Sequence, residues 1–372
     1  MHSFEHDTDA SRTVFGTGTL SRVGDELRRM GGRRALVLST PGQRALATRV
    51  AGVLGDACAG IFDGAAAHTP VEVTNAALAR AQELAADSVV SVGGGSTTGL
   101  GKALAARTGL PHLVLPTTYA GSEVTSLLGE TAHGEKVTRT GPEILPEVVV
   151  YDVALTTTLP WPVTVTSAVN AMAHAVEALY AADRTAETDR IAVEGLGALA
   201  RGLRSLQRDP DDLDARDDLL YGAWLAGRCL GAVGMGLHHK LCHTLGGSFG
   251  LPHAATHTVV LPHAMAYNAP AAPEAMGTAS TALGVDDAPA GLQALVVRLG
   301  GPTDLRDLGF DLADVPRAAA LATARPYPNP RPVDHDGIVE LLTHATEGTT
   351  IRGGPSASTP VPAVTHPSEE QR

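Results

Sequence analysis

Over the first ~155 residues, short apolar runs alternate with longer stretches of helical spacing. Arg34–Ser39, Ser88–Val92, His112–Leu115 and Val148–Tyr151 each read as a strand. The last three run into Gly93-Gly94-Gly95, Pro116-Thr117-Thr118 and Asp152. The Ala-rich stretch Asn75–Ala86 reads as a helix between them. Such alternation predicts a mostly parallel sheet with ligands at the strand carboxyl ends.

The period changes at Leu159-Pro160-Trp161-Pro162. Val165, Val169, Met172, Ala173, Val176, Leu179 and Tyr180 then recur at helical spacing, with Thr164 or Thr166 as the expected cap. Ile191–Leu206 and Leu219–Leu230 repeat the pattern. The expected fold is an α/β domain over 1–158, Rossmann-like in its alternation, and an all-helical domain over 159–352. Residues 353–372 carry Pro, Ser, Thr and charges without periodicity and are expected to form a disordered tail.

Gly93-Gly94-Gly95-Ser96 joins a strand to a helix expected over Leu100–Ala106. Glycines let backbone approach a phosphate, and a helix N-terminus supplies amide donors. The loop is neither the G-x-G-x-x-G fingerprint, which Thr98 breaks, nor a Walker A loop, which Ser96 and Ala103 break. A tight turn without a ligand is the alternative. Pro116–Glu123 is a second polar loop after a strand, positioned to face the same crevice.

Six of the fifteen histidines lie between His238 and His263. His239 and His243 are i,i+4, as are Asn170 and His174 on an earlier helix, so each pair shares a helix face. His253 follows Pro252, where a new element is expected to begin. Convergence of these groups gives a catalytic or metal site; independent surface histidines are the alternative. Zinc and ferrous iron favour imidazole together with an anionic ligand, and Asn170 is neutral. Cys242 sits between His239 and His243 and so points to another helix face. Three histidines alone can still bind zinc, so both readings stand.

Lys+Arg 28 against Asp+Glu 40 gives a net charge of −12, which argues against nonspecific nucleic-acid binding and against polybasic membrane attachment. Three cysteines, Cys58, Cys229 and Cys242, form no CxxC, and no disulfide framework is expected. There is no apolar run of ~18 residues, and Met1–Arg12 holds no apolar segment; a cytoplasmic protein is the expectation.

Taken together, Gly93–Ser96, Pro116–Glu123, Asn170-x3-His174, and His239-x3-His243 with Pro252-His253 resemble the iron-containing (group III) alcohol dehydrogenase superfamily over roughly residues 12–352. Three stretches look like its maleylacetate reductase branch: Gly93–Lys102, with Gly99 where the wider family has Asp; Gly236–Gly247; and Pro326–Pro332. Asn170 in place of the family's Asp fits the same branch. The resemblance implies a dehydroquinate synthase-like two-domain fold, a homodimer, and NADH or NADPH bound in the cleft between domains. It implies cofactor contacts at Gly94, Gly95, Ser96, Thr117, Thr118, Ser122 and Lys136. Ser39 stands where NADH-specific members carry Asp, so the repulsion of a 2′-phosphate is expected to be absent. The family's metal positions correspond to Asn170, His174, His239 and His253, and in this branch no metal is expected. His243 falls beside substrate or nicotinamide.

The implied reaction delivers hydride to the double bond of maleylacetate, an unsaturated keto dicarboxylate, in bacterial breakdown of aromatic compounds. The resulting enolate needs hydrogen-bond donors and a proton source. His239, His243, His253 and Tyr327 are the expected catalytic groups. Asn170, His174 and Tyr119 are expected at the substrate, with Lys240 and Arg331 as cations for its carboxylates. A metal-dependent alcohol or polyol dehydrogenase and an NAD-using carbon–oxygen lyase are the competing readings.

Overall fold

The computed structural model describes residues 1–8, 10–132 and 135–353, with the side chains at 135 and 136 left aside. The expected tail lies outside the described residues from 354 onward. The strands are β1 (Phe4–Asp7), β2 (Arg12–Phe15), β3 (Ala35–Leu38), β4 (Cys58–Phe62), β5 (Ser88–Gly93), β6 (His112–Pro116), β7 (Leu127–Ala132), β8 (Glu135–Thr140) and β9 (Val148–Tyr151). One sheet has the order β1-β2-β9-β6-β5-β3-β4, parallel except for the β1–β2 pair. β7 and β8 form a separate antiparallel hairpin. The direction of strand addition reverses between β3 and β5, and ligands settle in the crevice at such a switch point.

The sheet is covered on both faces because its central strands β3, β5, β6 and β9 carry apolar residues toward either side. Val37, Val90 and Val92 pack with α1 (Val23–Arg29) and α2 (Arg44–Leu54), whereas Leu36, Leu38 and Val89 pack with α3 (Val71–Glu83) and α4 (Gly95–Thr108). Beyond β9 the chain is helical: α5 (Trp161–Ala178), α6 (Ala186–Arg208), α7 (Leu213–Ala232), α8 (Leu237–Phe249), α9 (His253–Asn268), α10 (Pro273–Leu283), α11 (Ala288–Arg298), α12 (Val315–Thr323) and α13 (His335–Glu347). Val114, Val149 and Tyr151 of the sheet share a core with α5, α6 and α7, so the two halves are joined by apolar packing.

The four strands expected from the sequence are present, while β1, β2, β4 and the polar β7–β8 hairpin gave no comparable apolar signal. Helices begin earlier than their apolar spacing suggests because polar caps extend them. The Thr185 hydroxyl accepts from Thr188 N in a capping box at α6, and the Asp212 carboxylate accepts from Ala215 N at α7. Thr164 and Thr166 are not caps. α5 starts at Trp161 after Pro160, and the Thr166 hydroxyl donates back to Pro162 O inside the helix.

A buried ammonium ties the two candidate cofactor loops together. Lys102 is 1 % exposed on α4, and its Nζ donates to the carbonyls of Ser122, Thr125 and Leu127 at 2.6–2.8 Å and to Thr125 Oγ1 at 3.0 Å. The second loop is thereby held to the helix that the glycine loop opens. Burial pulls the Lys102 pKa down to about 7, with a smaller opposing effect from the Glu123 charge. In the unfolded chain the lysine keeps its ordinary value of 10.5, so between the two values the unfolded state holds more protons. The contribution of Lys102 to stability therefore rises with pH through that window and is lost as pH falls through about 7. Thermal unfolding of wild type and Lys102→Met from about pH 6 to about pH 9 is expected to show wild type gaining a few degrees on the variant as pH rises. A gap that narrows with pH would contradict this assignment.

Candidate active site

The glycine loop sits at the carboxyl end of β5, beside the switch point. Gly93 has φ +153°, and Gly94 precedes α4 as its N-cap without any side-chain cap. The first amides of α4 thus remain open to an anion. A Cβ at Gly94 would lie 2.9 Å from the Thr118 side chain, while one at Gly95 would meet nothing nearer than Ala120 Cβ at 3.8 Å and Ser122 Oγ at 4.0 Å. The two loops therefore face one another across Gly94 and Gly95. Thr117 N donates to Gly93 O at 3.0 Å, and the Gln43 amide donates to Thr117 Oγ1 at 2.9 Å, so the buried Thr117 braces the crevice floor. Gly95 is exposed; Ser96, Thr118 and Ser122 are half-buried. These residues fit a nicotinamide dinucleotide's phosphates: a glycine cradle with unused helix amides.

One cofactor expectation changes and another lies outside the described side chains. Ser39 is fully buried, its N–H bonded to Phe62 O and its carbonyl accepting from Ala65 N, so it stitches β3 to the exit of β4 and offers no surface to a ribose. Gln43, whose amide bonds to Thr117 beside Gly93, is a polar side chain that follows it at the crevice. Lys136 lies in β8, with its side chain outside the described residues.

The histidines converge from three helices. α5 supplies Asn170 and His174, α8 supplies His239 and His243, and α9 supplies His253 and His257. Ring centroids are 5.1 Å apart for His174–His239, 6.0 Å for His239–His243, 5.0 Å for His239–His257 and 4.3 Å for His253–His257. Asn170, His174 and His239 are buried, whereas His243 and His253 are exposed at the mouth. Burial and then the neighbouring imidazoles push the His174 pKa far down, which keeps this ring neutral.

Glu177, three residues after His174 and so on the same side of α5, organises the cluster and was not recognisable in the sequence. Its side chain is fully buried. It accepts from the backbone N–H groups of Gly236, His238 and His239 at 3.1, 2.8 and 3.4 Å, and from His239 Nδ1 at 2.6 Å. It caps α8, which has no cap of its own, and its charge faces the positive end of that helix. By holding the Nδ1 proton it fixes the His239 tautomer and aims Nε2 at the site.

Several buried polar atoms in this region have no partner: Asn170 Oδ1, His174 Nδ1, His239 Nε2, His257 Nε2 and Tyr327 Oη. Such atoms are rare unless a ligand completes them. Tyr327 belongs to the segment 326–332, which docks on α8 and α9 through Asn329: Leu237 N donates to its Oδ1, and its amide exchanges bonds with Asn268. Burial, followed by the charges of Glu177 and Tyr267, raises the Tyr327 pKa, so its phenol stays a donor.

Two substrate expectations do not hold in the geometry. Tyr119 is fully buried in the core shared with α5–α7 because the second loop turns its ring inward. Arg331 lies over the Tyr267 ring at 4.0 Å and donates to Tyr267 O at 3.3 Å, lining a separate dent with His263 and His344. Lys240 is half-buried on α8 next to His239.

As a metal site, the set Asn170, His174, His239 and His253 offers imidazoles and a neutral amide. The adjacent carboxylate, Glu177, is committed to four N–H donors. An anionic ligand, which ferrous iron prefers, is missing from the set, so these residues fit that metal poorly.

Residues 10–153 match the family model for iron-containing alcohol dehydrogenase, and residues 164–346 match that for the C-terminal part of the Fe-containing alcohol dehydrogenase family. The chain is 54 % identical over 338 residues to maleylacetate reductase 1 of Rhodococcus opacus, covering 91 % of this chain and 95 % of that one. Crystal structures of maleylacetate reductase from a Rhizobium strain and from Agrobacterium tumefaciens superpose with TM-scores of 0.88 each, at 53 % and 52 % identity. Each covers 94 % of this chain and 100 % of its own.

Two substitutions separate the cofactor and chemical halves of the site. Gly95→Ala adds a methyl where the backbone has room, so the fold should keep its melting temperature while KM for the reduced nicotinamide rises about tenfold through crowding of the phosphates. An unchanged KM would remove the loop from cofactor binding. Glu177→Gln keeps an oxygen for the α8 amides but loses the charge held against His239. Its kcat is expected to fall about 10- to 100-fold with cofactor Kd unchanged, as measured by steady-state turnover and fluorescence titration. Equal losses in both would mark a purely architectural role.

Proposed function

The chain belongs to the iron-containing alcohol dehydrogenase family and is a nicotinamide-dependent oxidoreductase, and from that premise we propose that it reduces maleylacetate to 3-oxoadipate with NADH or NADPH. The observation that carries this reading is the set of buried, unpartnered polar atoms on Asn170, His174, His239 and Tyr327, which contains no anion. That set suits a substrate whose developing charge spreads over an enolate, which hydrogen-bond donors can stabilise without a metal.

When bound, the reduced nicotinamide supplies the hydride, which adds to the alkene carbon β to the ketone as the π electrons move onto the carbonyl oxygen. The protein's part is to hold that oxygen and deliver a proton to the adjacent carbon. Tyr327, whose phenol stays protonated, and the Asn170 amide are the donors assigned to the oxygen. His239 carries its Nδ1 proton on Glu177, so its Nε2 is the position that takes up a proton and passes it on. His243 and His253, which are exposed, are the residues we assign to the route by which that proton is replaced from solvent. Lys240 is the cation we assign to a substrate carboxylate; Arg331 is not retained in that role. The phosphates are assigned to Gly94, Gly95 and Ser96, with Thr117, Thr118 and Ser122 lining the opposite loop.

The wider proposal keeps a homodimer in the cytoplasm and domains divided near residue 158. Among the described residues, no helix is long and apolar enough to cross a membrane.

Chelator-treated protein mixed with NADH and freshly generated maleylacetate is expected to lose absorbance at 340 nm without added metal. Turnover that returns only with Fe²⁺ or Zn²⁺ would defeat the metal-independent mechanism. Turnover with simple aldehydes but not with maleylacetate would defeat the substrate.

A further inference from the structure

The sheet gives a bound dinucleotide its direction. The glycine loop leaves β5, and from β5 the sheet runs one way to β6 and β9 and the other way to β3 and β4. β6 and β9 supply Val114, Val149 and Tyr151 to the core shared with α5, and α5 carries Asn170 and His174. With its phosphates at Gly94–Ser96, a dinucleotide meets the histidines only when its nicotinamide points toward β6. Its adenosine then lies over the exits of β3 and β4. Neighbouring strands are about 4.8 Å apart, so those exits stand roughly 5 and 10 Å from that of β5. The adenosine ribose, joined to the pyrophosphate through one methylene, falls within that span.

An ion pair bridges the two exits. Arg44 opens α2 after β3, Asp63 directly follows β4, and Arg44 Nη1 lies 2.5 Å from Asp63 Oδ2. The adjacent Gln43 borders the glycine loop: a Cβ at Gly93 would stand 2.8 Å from its Oε1. The Arg44 and Asp63 side chains are 63 % and 33 % exposed, so the pair is open to a ligand. Ser39, sealed between β3 and the exit of β4, is not. We propose that Arg44 and Asp63 select the coenzyme at its 2′ position, Arg44 taking the 2′-phosphate of NADPH and Asp63 the ribose hydroxyls of NADH. The assignment rests on the coenzyme phosphates lying at the glycine loop.

The pair serves either coenzyme because its partners can be exchanged. With a 2′-hydroxyl the pair stays closed, and the carboxylate has lone pairs left to accept from the ribose. A 2′-phosphate repels Asp63 and attracts Arg44, whose planar fork matches phosphate oxygens. The guanidinium then trades one anion for another, and Asp63 turns to water at little cost because the pair is at the surface. An acid without the neighbouring cation would exclude the phosphate. Arg49, also exposed on α2, is five residues further on and about 140° round the helix, so it does not share this face.

The test reads binding without turnover. Full-length protein is titrated with NADH and with NADPH, each followed by its own fluorescence. Arg44→Gln is expected to raise the Kd for NADPH about tenfold and to leave that for NADH within about twofold. Arg44→Lys, which keeps the charge and loses the fork, is expected to fall between. Asp63→Asn is expected to tighten NADPH and to weaken NADH about threefold. Arg49→Gln is expected to change neither. An Arg44→Gln variant that weakens both coenzymes alike, or neither, would overturn the proposal, as would an Arg49→Gln variant that matches it. Gly95→Ala, titrated in parallel, is expected to weaken both coenzymes alike. If it weakens neither, the phosphate placement falls and the selector with it; if it weakens both while Arg44→Gln does not discriminate, the selector alone falls.

Discussion

One buried carboxylate orders the active site. The Glu177 side chain is fully buried, and a bare charge there would be untenable without partners. Its partners are the open amides of α8 and the His239 ring, so the same four bonds that make the charge tolerable also fix where α8 begins and how His239 points. The 326–332 segment then docks on that helix start through Asn329 and brings Tyr327 with it. α9 packs against both α5 and α8, and the carboxylate ties the start of α8 directly to α5.

Much of this could be read from the chain. Strands buried on both faces are continuous apolar runs, so β3, β5, β6 and β9 were visible, and the glycine loop announced its place at the end of β5. The i,i+4 spacing of Asn170–His174 and His239–His243 put each pair on one face, and the faces do meet. Glu177 escaped because its signal is one acid, the only one on α5, with no charged neighbour on that helix. Its partners are mostly backbone amides some sixty residues away, and backbone groups leave no mark in a sequence. Ser39, Tyr119 and Arg331 were misread for a related reason. Each sits in a suggestive stretch, but local geometry turned it toward a strand exit, a core and an aromatic ring, respectively.

The division of labour between the halves is clear in the interactions used. The α/β half presents backbone: helix amides, glycine surfaces and carbonyls gripped by Lys102. The helical half presents side-chain hydrogen-bonding groups, the imidazoles and the Tyr327 phenol. A dinucleotide's phosphates ask for the former and an enolate for the latter, so an inter-domain cleft lets each be built by the architecture that supplies it best.

Where the second loop meets α7, Gly121 and Gly227 touch backbone to backbone. A methyl at Gly121 would stand 2.9 Å from Gly227 Cα, and one at Gly227 would stand 2.3 Å from Gly121 O. Neither residue can relieve the other, since both intruders strike main chain. The pair therefore works as a spacer of zero thickness between the two halves. Any larger residue at either position would act as a shim, forcing the second loop away from α7, and a compensating change would have to come from moving an entire helix.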